Sequence, residues 1–285
     1  MTSRDDDRVP REAGGAGDLR QITSLQNDSV KLIRSLEMRK ARRDSGLFVA
    51  EGISVLVTAR EHGWSPTMLV AGPGSHDNTI ARSLVAWALA AGAECLDVSA
   101  AVLEKLAAKD NPQVVMGVFR QRFADAPDPA KVSRPAVWLA LEGVRDPGNL
   151  GTIIRTVHAV GAAGIILVGQ TCDPYSKESV RASMGSIFAV PIARLDAEAF
   201  TTLARAWRGD VVGAHLDGGA DFRAGGWREP ALILMGSEGA GLTANLTARC
   251  SRLVRIPMAC SLDSLNLAVA TALMLYEARR DQLTI

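Results

Sequence analysis

The 285-residue chain has no apolar run approaching the roughly 18 residues of a membrane span, and its N-terminus is charged where a secretion signal would be apolar. These absences place it in the cytoplasm, away from any membrane. Cysteine is scarce: Cys95, Cys172, Cys250 and Cys260 are widely scattered and include no CxxC pair. They read as buried or reduced thiols. His62, His76, His158 and His215 form no HExxH or comparable cluster, so no metal site is expected. Two phosphate-cradling signatures are also missing, GxGxxG after a strand and GxxxxGK[ST] anywhere. A dinucleotide enzyme and a P-loop NTPase are disfavoured.

An excess of one charge is lacking too. The net charge is only +1, while hydrophobic residues make up 47% of a chain long enough for two domains with their own cores. Within that balance lies one basic stretch. A helix is expected from Asn27, capped by Asn27 or Asp28, with Val30, Ile33 and Leu36 as its apolar stripe. Lys31, Arg34, Arg39, Lys40, Arg42 and Arg43 crowd its other face and its end. They make a candidate phosphate-backbone contact, with a solvated helix end as the alternative that composition leaves open.

Residues 1–20 are charged and Gly-rich, without hydrophobic period, and are expected to be a disordered tail. Over 21–122 strands and helices alternate, as in a small α/β domain. Residues 123–135 carry three prolines and read as a linker. From 136 to 285 the alternation resumes, with strands expected near Val137–Leu141, Ile165–Val168, Ala189–Ile192, Val211–His215, Ala231–Met235 and Leu253–Ile256. A last helix is expected from about Ser264 to Arg280, capped by Asp263 or Ser264, with Leu265, Val269, Leu273 and Tyr276 on one face. This pattern implies a mostly parallel sheet with helices on both faces.

Three polar loops follow strands of that second unit, where open α/β sheets bind ligands. The first carries Asp146-Pro-Gly-Asn149 and runs into a helix bearing Arg155. The second is Gly236-Ser-Glu238-Gly-Ala-Gly-Leu, whose glycines admit close backbone approach to a ligand. The third is Ile256-Pro-Met followed by Ser264-Leu-Asn266. Taken singly, a cap at Asn149, a solvated Arg155 and a Gly-rich turn with an incidental acid remain open as alternatives.

In this order and spacing the three stretches resemble the ordered motifs of the SpoU (TrmH-type) RNA 2′-O-ribose methyltransferases of the SPOUT superfamily. The segment from Asp173 through Arg181 to Ser186 is similar to the one that family carries between its first and second motifs. The N-terminal unit resembles the substrate-binding domain, related to a ribosomal-protein fold, of the rRNA-modifying branch.

The resemblance implies a deep trefoil knot near the C-terminus, with S-adenosylmethionine held by Gly236, Ile256 and Leu265. It also implies a homodimer whose site lies near the subunit boundary, and an RNA substrate, rRNA of the 23S type before tRNA. Asn149, Arg155, Glu238, Ser264 and Asn266 take the catalytic positions. Arg155 would act as a cation on the target phosphate and the emerging alkoxide, since a guanidinium stays protonated. Ser237, Cys260 and Ala268 depart from the residues many members carry there. A ribosome-assembly factor that keeps the fold without methylating, and an unrelated α/β enzyme of small molecules, are the competing classes.

Overall fold

The computed structural model describes residues 19–107, 113–259 and 264–284. The expectation of disorder for the first residues therefore lies mostly outside it, as do the positions of Cys260 and Asp263. Leu19 and Arg20, assigned to the tail from sequence, instead begin the first strand.

The N-terminal half comprises β1 (Leu19–Ile22), α1 (Asp28–Ser35), α2 (Arg39–Ser45), β2 (Leu47–Glu51), α3 (Ile53–Glu61) and β3 (Met68–Ala71). It continues with α4 (Thr79–Ala90), β4 (Glu94–Val98), α5 (Ala100–Ala107) and β5 (Val115–Arg120). Its strands form a mixed sheet in the order β1-β4-β3-β5-β2, with β5 antiparallel to both neighbours.

The basic stretch is two helices rather than one. Asn27 caps α1 by accepting from the amides of Ser29 and Val30. The chain then turns at Leu36–Met38, and α2 starts after an extended Met38.

The C-terminal half comprises β6 (Val137–Glu142), α6 (Pro147–Ala159), β7 (Gly164–Val168), α7 (Lys177–Ala182), β8 (Ile192–Leu195) and α8 (Ala197–Ala206). After these come β9 (Val211–Ala214), β10 (Ala220–Asp221), β11 (Ala231–Met235), α9 (Ala244–Thr247), β12 (Arg252–Arg255) and α10 (Leu267–Ala278). All strand pairs of this sheet are parallel, in the order β10-β12-β9-β11-β6-β7-β8.

Alternate residues of the central strands serve two separate cores. Leu139, Leu141, Ile165, Leu167 and Ile233 pack with Leu150, Ile154 and Val157 of α6 and Met274 of α10. Ala140, Ile166, Leu232 and Leu234 pack with Phe200 and Leu203 of α8. Burial on both faces explains why these strands read as continuous apolar runs.

Two expectations need correction here. The strand expected at Ala189–Ile192 begins only at Ile192, because Ala189 and Val190 close a tight turn by donating to the Ser186 carbonyl. The last helix begins at Leu267 and is capped by Asn266, not by Asp263 or Ser264.

The halves do not meet across water. Phe48 packs on Tyr175 with ring centroids 4.5 Å apart, Trp64 packs edge-on to Phe188 at 5.1 Å, and the Trp64 indole donates to the Phe188 carbonyl at 2.9 Å. Beside these rings, Arg42 and Asp173 form an ion pair at 2.8 Å with side chains only 5% and 10% exposed.

Candidate functional site

Strands β12, β9, β11 and β6 are adjacent and parallel, so the loops at their carboxyl ends emerge side by side. Between them opens a cleft of about 570 Å³, within the range of small-molecule sites. Gly236, Ile256 and Leu265, the expected donor-binding residues, all line it, as do Glu238, Ser264 and Asn266. The sequence reading missed a fourth wall, Ala214 to Asp217. Its signal was available, since these residues end and follow a recognised parallel strand.

Gly236 is fixed by contact. A Cβ added there would lie 2.0 Å from the Gly241 carbonyl carbon, a distance no side chain can occupy. Paired amides at Ser237 and Gly241, each donating to the other's carbonyl at 3.1 Å, close the Gly-rich loop into a tight hairpin. Backbone thereby forms much of the cleft wall.

At the start of α6 the cap is Asp146, whose Oδ1 accepts from the Asn149 amide at 2.6 Å, with Pro147 in the first turn. Asn149 is thereby released from capping. Its Nδ2 donates to Glu238 Oε1 at 3.1 Å, and its Oδ1 accepts from Asn266 Nδ2 at 2.9 Å. Asn266 Oδ1 accepts from the amides of Ala268 and Val269 at 2.9 and 3.3 Å, capping α10.

The polarity of this chain is forced. Because the Asn266 oxygen is committed to two amides, only its NH₂ faces Asn149, whose own NH₂ must then face Glu238. One residue from each of the three motif loops thus joins a single hydrogen-bonded line. Burial alone would raise the Glu238 carboxyl, but the Asn149 side chain and backbone amides, including those of Arg145 and Asp146, outweigh it and hold the group below its ordinary value. Glu238 is an ionised anchor.

Ser264 is exposed on the cleft wall. Arg155 is placed elsewhere. Six residues beyond Asn149, it lies on a different face of α6, exposed, with no hydrogen bond or ion pair among the described residues. Neither Asn149 nor Glu238 is bonded to Arg155 among the described residues, and helical periodicity turns Asn149 and Arg155 to different faces of α6. Thr152 and Thr156 are the residues that share a groove with Asn149, opposite Val269, Leu273 and Tyr276 of α10.

A reactive thiol does not contribute. Burial, reinforced by the carboxylates of Glu238 and Asp146, pushes the Cys172 thiol up to about 12.

Among the expected RNA contacts, Lys31, Arg34, Arg39, Lys40 and Arg43 are exposed. Arg42 is not, and this corrects the sequence reading. Its Nε donates to Asp173, and its Nη1 donates to the carbonyls of Leu36 and Glu37, both at 2.8 Å. A guanidinium so committed holds α1 and α2 to the second half and has no face left for a phosphate. Arg39 reaches the Thr171 carbonyl at 3.3 Å. Thr171 and Asp173 follow β7, so α2 sits at the same carboxyl end of the sheet as the cleft.

Among the described residues no group of three or more His, Cys, Asp or Glu side chains could hold a metal ion, and no helix is long and apolar enough to cross a membrane.

Known proteins share this fold. Residues 27–117 match the MRM3-like substrate binding domain, and residues 136–276 match the SpoU rRNA Methylase family. An AdoMet-bound rRNA methyltransferase from Sinorhizobium meliloti superposes with a TM-score of 0.84 at 43% identity, covering 93% of this chain and 99% of its own. The 23S rRNA (uridine(2479)-2′-O)-methyltransferase of Streptomyces viridochromogenes is 32% identical over 93% of both chains. A 23S rRNA (guanosine(2553)-2′-O)-methyltransferase of Bacillus subtilis is 29% identical over 92% of this chain and 100% of its own. With both segments matched and a relative above 30% identity aligned almost end to end, the chain belongs to the SpoU rRNA methylase family.

Proposed function

We propose that this protein transfers a methyl group from S-adenosylmethionine to a ribose 2′-OH of ribosomal RNA, of the 23S type, in the cytoplasm. The observation that carries the reading is the hydrogen-bonded line in which Asn149 joins Glu238 and Asn266, two residues of a cleft whose wall also holds Gly236, Ile256 and Leu265. Exposed Arg34, Arg39, Lys40 and Arg43 stand on helices anchored at the same carboxyl end of the sheet, which suits recognition of structured RNA through its phosphates. The matched relatives' activities on 23S rRNA support the same substrate class. Residues 21–122 would then be the RNA-binding domain, 123–135 the linker and 136–285 the catalytic domain.

The cleft fits the donor. It is of small-molecule size, its apolar wall includes Met235, Leu265 and Leu267, and its glycine hairpin presents backbone rather than side chains. Gly236, Ile256 and Leu265 would hold the donor, which when bound supplies an electrophilic methyl on a sulfonium.

The chain's own residues then have separable tasks. Glu238, kept ionised, fixes the Asn149 amide, and Asn149 in turn fixes Asn266 on the cleft wall, the pair orienting the ribose. Ser264 hydrogen-bonds near the hydroxyl from the cleft wall. Arg155, a guanidinium cation, holds the target phosphate and stabilises charge developing on the 2′ oxygen.

Arg155 is exposed on a different face of α6 from Asn149 and bonds to no other described residue. We infer a homodimer packed on the groove beside Arg155, which carries the guanidinium to the subunit boundary. The deep trefoil knot belongs to the same reading: β12 is inserted between β9 and β10, and α10 returns to pack on α6 and β11, as a threaded C-terminal segment would.

The test is transfer of labelled methyl from S-adenosylmethionine to rRNA and tRNA of a strain lacking the gene, for wild type and Arg155→Ala. Label in rRNA ribose, lost in the variant by about 10²–10³-fold as for other charge-stabilising groups, is the expected result. Donor binding without transfer to any RNA, or label in tRNA alone, would overturn the rRNA assignment.

A further inference from the structure

We propose that Glu142 and Thr243 are positioning residues for the donor cleft, forming with Glu238 a reciprocal carboxylate lock between the two loops that frame the reaction site. The proposal rests on the donor reading above. Glu142 is the last residue of β6, and Thr243 is the first residue beyond the Gly-rich hairpin. The Thr243 amide donates to Glu142 Oε2 and its hydroxyl donates to Oε1, both at 2.8 Å. In the other direction Glu238, on the hairpin, accepts from the Arg145 amide at 3.2 Å and from Asn149 at 3.1 Å. Each loop therefore sends one carboxylate into the other.

The hairpin needs such ties. Gly239 and Gly241 adopt positive φ, and its internal backbone bonds are the pair between Ser237 and Gly241. Residues Gly236 to Gly241 line the donor cleft, so where the hairpin is pinned sets how far its backbone stands from a bound molecule.

Capping of α9 does not account for Glu142. That task falls to the Thr243 oxygen, which accepts from the Leu246 amide whether or not its proton is taken. Both Glu142 oxygens are spent on Thr243, and charge-assisted bonds of this kind hold position more firmly than neutral ones.

The experiment compares full-length wild type, Glu142→Ala and Glu142→Gln. Amide hydrogen exchange over 237–243 is measured without ligand, S-adenosylmethionine binding by calorimetry, and methyl transfer by kinetics. Glu142→Ala is expected to speed exchange across the hairpin and to weaken donor binding by about 10- to 100-fold, the scale of a small misplacement in a preorganised site. Glu142→Gln keeps one acceptor oxygen and should recover part of both. Unchanged exchange at 237–243 in Glu142→Ala, or donor affinity equal to wild type, would overturn the proposal. Should wild type itself bind no donor, the function above fails while the exchange comparison still decides the lock. If Glu142→Ala does not fold, Glu142→Gln against wild type makes the same comparison.

Discussion

Glu238 ionises below the ordinary carboxylate range although burial acts the other way, because Asn149 and backbone amides present hydrogens to it. Its folded-state pKa lies below its unfolded value. Its contribution to stability is therefore fully present above the ordinary carboxylate pKa and is lost as pH falls through the depressed folded value. Urea unfolding of wild type and Glu238→Gln should differ by a constant amount near neutral pH, and the gap should narrow under acid. A gap that persists unchanged at low pH would mean that Glu238 is not held as a carboxylate. At this scale motif spacing singled out Asn149, Glu238 and Asn266, and the structure joins those three by hydrogen bonds. The sequence was silent on Glu142 and Thr243, which meet across a separation of 101 residues through hydrogen bonds that no local spacing encodes. The exposed basic residues were legible too, but Arg42 was not separable from them, because its burial depends on Asp173 far along the chain.

Helix α6 owes its placement to a missing side chain. A Cβ on Gly151 would lie 2.3 Å from the Ser179 carbonyl oxygen and 2.6 Å from the Ala182 Cβ, so α6 and α7 approach closely only with glycine there. Gly151→Ala should push the helices apart and cost about 1–3 kcal/mol by overpacking. Melting followed by calorimetry should fall by roughly 2–4 °C for each of those kcal/mol, with weaker donor binding because Asn149 sits on the same turns. An unchanged melting temperature would show that the two helices can part without loss. Elements of this kind were largely legible, since strands buried on both faces read as apolar runs and the glycine hairpin as a turn. The failures have physical reasons. The break between α1 and α2 is imposed by Arg42 gripping the Leu36 and Glu37 carbonyls, and the four-residue β1 is held by pairing with distant β4. In α10 the expected apolar stripe is real, but it faces outward. Leu267, Ala268, Thr271, Met274 and Leu275 are the buried residues, in a helix apolar on nearly every side, so periodicity could not choose its inner face.

That outward stripe is a property of the whole molecule. The two halves already share one continuous core through Phe48, Trp64, Tyr175 and Phe188, locked by the buried Arg42 and Asp173 pair, so the basic helices and the cleft are carried as a unit. Such a body has little reason to leave Val269, Leu273 and Tyr276 at 50%, 38% and 52% exposure on one helix unless something covers them. They face a groove shared with Thr152 and Thr156 of α6, and Arg155, one helical turn from Thr152, is exposed and makes no hydrogen bond or ion pair among the described residues. A second copy packed there about a two-fold axis would bury the stripe and bring each Arg155 to the subunit boundary. Leu273→Glu would put an unpaired charge at the centre of that contact while leaving the cleft residues untouched. Sedimentation velocity should show wild type as a dimer and Leu273→Glu as a folded monomer with an unchanged circular dichroism spectrum. If Arg155 works across the boundary, the monomer keeps its affinity for S-adenosylmethionine in calorimetry and loses methyl transfer to RNA. A wild-type chain that sediments as a monomer, or a monomeric variant that methylates RNA at the wild-type rate, would remove the dimer from the mechanism and require Arg155 to reach the phosphate from its own chain.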